Sequence, residues 1–290
     1  MGELKNSRSG AFITKLNMLL LAGFILSAGC AQPPASQEIE ANGSGIIGGE
    51  EVTKLDENVY SNTVVSLLNV RDESLCTASI IAPDLLLTAA HCVSGPAANL
   101  RIIFGPRVVD PIAPNTVVRV ADAYMTSPLW AVRQFERHDN GDIAVVKFSG
   151  GLPEGYKVIP ILEDTSVLNV GSMVLLAGYG WSDGINKTGS GILRFVETDI
   201  ESTTFSSTEI VLNQKNGKGA CHGDSGGPAY IKVGNEWALV GVTSRGINDP
   251  QDTCGVSSVY TLAPAYQNWI RAAGELLRLA TDQSGVTTQL

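Results

Sequence analysis

Three residues far apart in the chain stand in short contexts that could expose them for chemistry. His91 lies in Thr88-Ala89-Ala90-His91-Cys92, just after an apolar run. Asp142 stands directly before another, in Gly141-Asp142-Ile143-Ala144-Val145-Val146-Lys147-Phe148. Ser225 sits in the glycine-rich turn Gly223-Asp224-Ser225-Gly226-Gly227-Pro228. A serine hydroxyl is a poor nucleophile until a base takes its proton. An imidazole titrates near working pH and is suited to that task. Gly223 and Gly226 let the backbone bend tightly around the hydroxyl. Taken singly, each residue has a plainer reading: a structural histidine at a strand end, a turn-forming aspartate, a serine in a loop. Asp139 is a second carboxylate close to Asp142.

The elements that must position these residues read as strands. Short β-like runs separated by turn signals occupy Ile46 to Thr261: Thr63–Val70, Leu100–Phe104, Thr116–Val120, Ile143–Phe148, Met173–Leu176, Ile192–Ile200, Trp237–Thr243 and Ser257–Tyr260. Many short strands without helical periods between them suggest sandwiches or barrels. The 31 Gly and 13 Pro, many of them between apolar runs, favour the same turn-rich architecture. Near the end the period changes. Leu262, Tyr266, Trp269, Ile270, Ala273 and Leu277 share one helical face, and Pro264 falls in the first turn, where its missing N–H costs little. A terminal helix and tail over 262–290 are therefore expected, the helix packing on a β body.

Composition narrows the function. At 290 residues and 44% hydrophobic, the chain can build a large core. Its net charge of −9 argues against nucleic acid as a partner, because no basic excess neutralises phosphates.

The N-terminus reads as an export signal. Lys5, Arg8 and Lys15 precede the uncharged run Leu16 to Gly29, which is too short to span a bilayer comfortably. Leu26-Ser27-Ala28-Gly29-Cys30 resembles the bacterial lipoprotein signal, with Ser27 where that signal prefers Leu. Lipidation of Cys30 is read ahead of ordinary cleavage near Ala31, which would discard it. The expected organisation is a signal over 1–30, a polar tether over 31–45 and one catalytic domain over 46–290. With Cys30 aside, Cys76, Cys92, Cys221 and Cys254 remain, an even number in an exported chain. They allow three pairings. Zinc is the weaker reading, with no close cysteine pair and only three histidines.

His91, Asp142 and Ser225 in this order resemble the trypsin–chymotrypsin family of serine endopeptidases. Ile46-Ile47-Gly48-Gly49 is similar to the family's mature N-terminus, Gly178-Tyr179-Gly180 to its Gly-Trp-Gly turn, and Val259-Tyr260-Thr261 to its lead into the terminal helix. The likeness runs from Ile46 to about Ala273. It implies an all-β fold of two antiparallel six-stranded β-barrels with a C-terminal α-helix, barrel 1 over about 46–160, barrel 2 over about 161–261, and the active site in the cleft between them. It also implies disulfides Cys76–Cys92 and Cys221–Cys254.

The resemblance assigns roles too. His91 would be the base, Asp142 would fix its tautomer, and Ser225 would be the nucleophile. The N–H groups of Gly223 and Ser225 would form the oxyanion hole, and Ser244 would support Asp142. Cleavage between Gly45 and Ile46 would free an ammonium that pairs with Asp224. Gly45 stands where the family usually has Lys or Arg, so a separate activating protease is expected. Gly219, Ala220, Gly246 and Ser258 would line the primary pocket, with no carboxylate to meet a cation, so an uncharged, chymotrypsin- or elastase-like preference is expected. Arg245 reads as a solvated loop charge ahead of a group favouring acidic substrates, and His222 as a surface residue ahead of one lining the pocket rim. Asp110 is the one carboxylate between Leu100 and Val120, which argues against the family's calcium loop; no metal and no organic cofactor is expected.

Expected partners are protein or peptide substrates and the activating protease, with a monomer exported to the periplasm or outside the cell, held at an outer membrane if Cys30 is lipidated. The alternatives are a catalytically silent binding module on a protease-like fold and an esterase or lipase. The second shares the pattern G-x-S-x-G at Gly223–Gly227, but its histidine comes last in the chain.

Overall fold

A computed structural model describes residues 46–108 and 117–286. The signal, Cys30, the tether, Gly45 and Asp110 lie outside the described residues.

After the two-residue edge strand β1 (Glu50–Glu51), β2 (Val64–Asn69), β3 (Ser74–Ala82), β4 (Leu85–Thr88), β5 (Leu100–Phe104), β6 (Val117–Thr126) and β7 (Ala144–Phe148) close into an antiparallel barrel in the order β2-β3-β4-β7-β6-β5. A second set, β8 (Met173–Gly178), β9 (Arg194–Ser202), β10 (Glu209–Asn213), β11 (Pro228–Val233), β12 (Glu236–Ile247) and β13 (Ser257–Leu262), runs β9-β10-β13-β12-β11-β8. The pairing of β8 with β9 closes it. The fold is thus two six-stranded antiparallel barrels with a C-terminal helix.

The apolar run of β7 is buried along its whole length, which is why it carries no alternation. Lys147 within it keeps its charge paired, with Nζ donating to the Phe148 carbonyl at 3.0 Å and lying 3.5 Å from Asp122. The chain leaves one barrel and enters the other at a single step. Ile159 N–H donates to Ile80 of β3, while the Pro160 carbonyl accepts from Leu239 of β12.

Two short helices lie outside the strand pattern, α1 (Val59–Asn62) and α2 (Pro128–Arg133). Ser127 caps α2 by accepting from Leu129 N–H at 3.3 Å, and Pro128 takes the first turn. The terminal helix starts later than its periodicity suggests. Leu262 still belongs to β13, and Ala263–Tyr266 form a 3-10 turn containing Pro264. Helix α3 (Gln267–Val286) then packs Ile270, Ala273 and Leu277 into the core of the first barrel. Arg278 grips Asp84 of that barrel with two hydrogen bonds, of 2.8 and 2.6 Å.

Candidate active site

His91 sits in a single 3-10 turn, Ala90–Cys92, at the end of β4. Asp142 precedes β7, the strand paired with β4, so the barrel register brings the two together. The carboxylate holds the histidine twice. Oδ1 accepts from the His91 backbone N–H at 3.0 Å, and Oδ2 meets ring Nδ1 at 2.8 Å. An ionised carboxylate only accepts, so Nδ1 carries the proton and Nε2 is left as the basic nitrogen. Asp142 is 1% exposed. Burial opposes its charge, but the His91 hydrogen bond and charge prevail, with Ser244 adding to them, and its pKa stays below the usual carboxylate value. For His91, burial opposes protonation; the hydrogen bond and charge of Asp142 outweigh it and hold the pKa above 6.5.

Ser244 is placed by a bulge. The register of β12 against β13 slips between Thr243 and Arg245, and the extra residue turns toward Asp142. Its Oγ donates to Asp142 Oδ2 at 2.7 Å. From β13, Thr261 Oγ1 donates to the Asp142 carbonyl at 3.0 Å. Asp139 has other company: its Oδ1 accepts from the N–H and hydroxyl of Thr208.

The Ser225 turn is clamped by β3 of the other barrel. Thr77 N–H donates to the Ser225 carbonyl at 2.9 Å, and Thr77 Oγ1 donates to the Gly223 carbonyl at 2.9 Å. Gly223 has φ +98 and Gly226 φ +81, and a side chain on Gly226 would overlap Thr88 Oγ1 and the Thr77 carbonyl. Asp224, Gly226 and Gly227 use their N–H groups within the protein. Among the described residues, nothing accepts from the N–H of Gly223 or Ser225. His91 and Ser225 line one cavity of about 280 Å³. No hydrogen bond joins them among the described residues, and such contacts commonly tighten only around a bound substrate.

Asp224 is 1% exposed. Its carboxylate accepts from Gly180 N–H and Cys221 N–H, each at 2.8 Å. Burial nevertheless pushes its pKa up to about 7 against these bonds and the field of Arg194. The Ile46 side chain is buried in the second barrel's core, and Ile47 bridges Gly219. The disulfides are Cys76–Cys92, beside His91, and Cys221–Cys254, beside the Ser225 turn.

Ala220, Gly246 and Ser258 line the cavity together with Gln214, which the sequence reading did not single out. A side chain on Gly219 would fall on that of Gln214, which occupies the space. The expectation for Arg245 is corrected. Its guanidinium turns inward, 2.8 Å from the fully buried Glu209 and 3.1 Å from Ser244 Oγ. A buried carboxylate on β10, two strands away across β13, supplies the reason. His222 lines the cavity and pairs through Nε2 with Asp252 Oδ1 at 2.8 Å.

Two six-stranded antiparallel barrels with a C-terminal helix define the chymotrypsin-like class of fold. Residues 46–270 match the family model described as Trypsin, and the chain belongs to that family. It is similar to a chymotrypsin of Phaedon cochleariae, 27% identical over 215 residues that cover 69% of this chain and 72% of the relative. A phenoloxidase-activating enzyme 1 of Spodoptera litura is 29% identical over 263 residues, 80% of this chain and 68% of the relative. A tryptase of Mus musculus is 26% identical over 258 residues, 78% and 87% of the two chains.

Proposed function

We propose that this protein is a serine endopeptidase, and the observation that carries the reading is Asp142 gripping His91 on a cavity that also exposes Ser225. His91 Nε2 takes the Ser225 proton as Oγ attacks the substrate carbonyl. Asp142 stabilises the imidazolium, which then protonates the leaving amine. The N–H groups of Gly223 and Ser225 receive the developing oxyanion, each such donor being worth roughly 3 kcal/mol in the transition state. Water enters by the same route in reverse and releases the acyl group.

The chain is made as a zymogen cut before Ile46 by another protease, in keeping with Gly45 at the cut. In the uncut chain the Ile46 nitrogen is a neutral peptide nitrogen; after the cut its ammonium pairs with Asp224 and firms the turn that bears Ser225. The four residues expected to form the primary pocket carry no charge, but Asp249 and Asp252 also line the cavity, and the enzyme needs no metal or cofactor. It acts as an exported monomer, with Cys30 as the candidate lipid attachment.

A serine-reactive fluorophosphonate tests the reading. The processed protein should label at Ser225 and cleave peptides, whereas Ser225→Ala should do neither. A processed protein that does not label would be a binding module instead.

A further inference from the structure

Thr77 is a fully buried polar residue of β3, and each of its polar groups is spent on the candidate site. Its N–H donates to the Ser225 carbonyl at 2.9 Å. Its carbonyl accepts at 2.9 Å from the hydroxyl of Thr88, in the strand that leads to His91. Its own hydroxyl stands between two backbone groups, the Gly223 carbonyl at 2.9 Å and the Tyr179 N–H at 3.2 Å. A carbonyl only accepts and an N–H only donates, so the direction of the hydroxyl is determined: it gives its proton to Gly223 and receives one from Tyr179. The consequence falls on the peptide that joins Gly223 to Asp224. Its oxygen is held by Thr77, and its N–H donates to the Cys221 carbonyl at 3.0 Å, so it is fixed at both ends. The N–H groups of Gly223 and Ser225 flank that peptide on either side. Gly223 has φ +98, and glycine by itself does little to hold a turn in one shape. Tyr179 adjoins Gly180, whose N–H holds Asp224, so the hydroxyl also ties the turn to the segment that frames it.

Resting on the protease reading, we propose that the Thr77 hydroxyl is a positioning group for the reaction: from the barrel that carries the base, it sets the Gly223 and Ser225 N–H donors where the oxyanion develops. Being enclosed, it acts through the turn and not on the substrate. Donors of this kind work by being in place before charge appears, so loosening the turn weakens the transition state and leaves ground-state binding alone. The hydroxyl, and not the bulk of the side chain, carries this role, because the methyl group has no part in the hydrogen bonds to Gly223 and Tyr179.

The test compares the processed parent with Thr77→Ser, Thr77→Val and Thr77→Ala on one quenched-fluorescence peptide selected from a mixed-sequence library. Valine keeps the shape and loses the hydroxyl; serine keeps the hydroxyl and loses a methyl. We expect Thr77→Val to lower kcat about tenfold or more with KM within about twofold of the parent, and Thr77→Ser to keep at least about a third of the parent kcat. A peptidyl trifluoromethyl ketone, whose adduct with Ser225 bears an oxyanion, should bind Thr77→Val more weakly by about the same factor, whereas a product peptide should bind parent and variant alike. If the valine variant does not fold, serine against alanine carries the test, since those two differ by the hydroxyl alone. Equal kcat with and without the hydroxyl, a loss that serine shares, or a loss seen in KM and product binding instead of kcat would overturn the positioning role and leave the protease reading standing. A processed parent that neither hydrolyses peptides nor forms the ketone adduct would overturn both.

Discussion

In the uncut chain Asp224 should act as a brake on stability that alkali applies. Its carboxyl is fully enclosed, and burial raises its pKa from 3.8 to about 7. A carboxyl whose value is higher folded than unfolded favours the fold in its protonated form. That contribution is complete below about pH 4 and is lost as pH climbs through about 7. At about 1.4 kcal/mol per tenfold, the difference amounts to about 4 kcal/mol between pH 4 and pH 8. The perturbation is Asp224→Asn, made in the uncut chain with Ser225→Ala to prevent cutting. Asparagine cannot accept from both Gly180 and Cys221, so the variant should lose about 1 kcal/mol at every pH. Carboxylates held below their usual range, such as Asp142, slope the other way in both proteins and cancel in the comparison. Urea unfolding from pH 4 to 8 should therefore show the parent losing several kcal/mol relative to the variant. Cutting before Ile46 should erase the loss, because the new ammonium offsets the buried carboxylate. Parallel pH curves for the two uncut proteins would refute the account.

Other expectations follow from the same geometry. Because Asp142 holds the His91 pKa above 6.5 and the base form is the active one, kcat/KM should fall as pH drops through a value above 6.5. Asp142→Asn should reduce kcat by about 10⁴-fold, and in Asp142→Ala the imidazole resonance should titrate at lower pH by NMR. Arg245→Ala strands the fully buried Glu209 carboxylate and should cost roughly 3–5 kcal/mol in urea unfolding. Gly226→Ala meets both a positive φ and the Thr88 and Thr77 oxygens, so it should destabilise by more than about 1 kcal/mol and abolish labelling of Ser225. The uncut protein should be nearly inactive in a peptide assay; full activity before the cut would contradict zymogen behaviour.

A sandwich or barrel was legible because the strands are short apolar runs punctuated by turns, while the double barrel and the cysteine pairs were legible only through the resemblance to the trypsin–chymotrypsin family. Strands rich in small polar residues were not. β3 buries Thr77 and Ser79 completely, and β10 opens on the buried Glu209, which no alternation rule would place inside. The same ion pair made Arg245 unreadable, since its partner lies 36 residues away. The pocket floor was hidden for a related reason. Gly219 reads as an empty position, but the space it leaves is filled by a side chain from elsewhere in the chain. The start of α3 was blurred because the apolar positions of β13 and of the helix continue one another across the Pro264 turn.

The terminal helix follows the last strand of the second barrel yet rests on the first, locked there by Arg278 on Asp84. Among the described residues the polypeptide thus crosses the cleft three times, once between β1 and β2, once at Ile159–Pro160 and once on its way to α3. Neither half can swing away as a hinged lobe without tearing the tail from its seat, so the molecule should melt in one step, and trimming that tail should let the catalytic groups drift apart long before either barrel unravels.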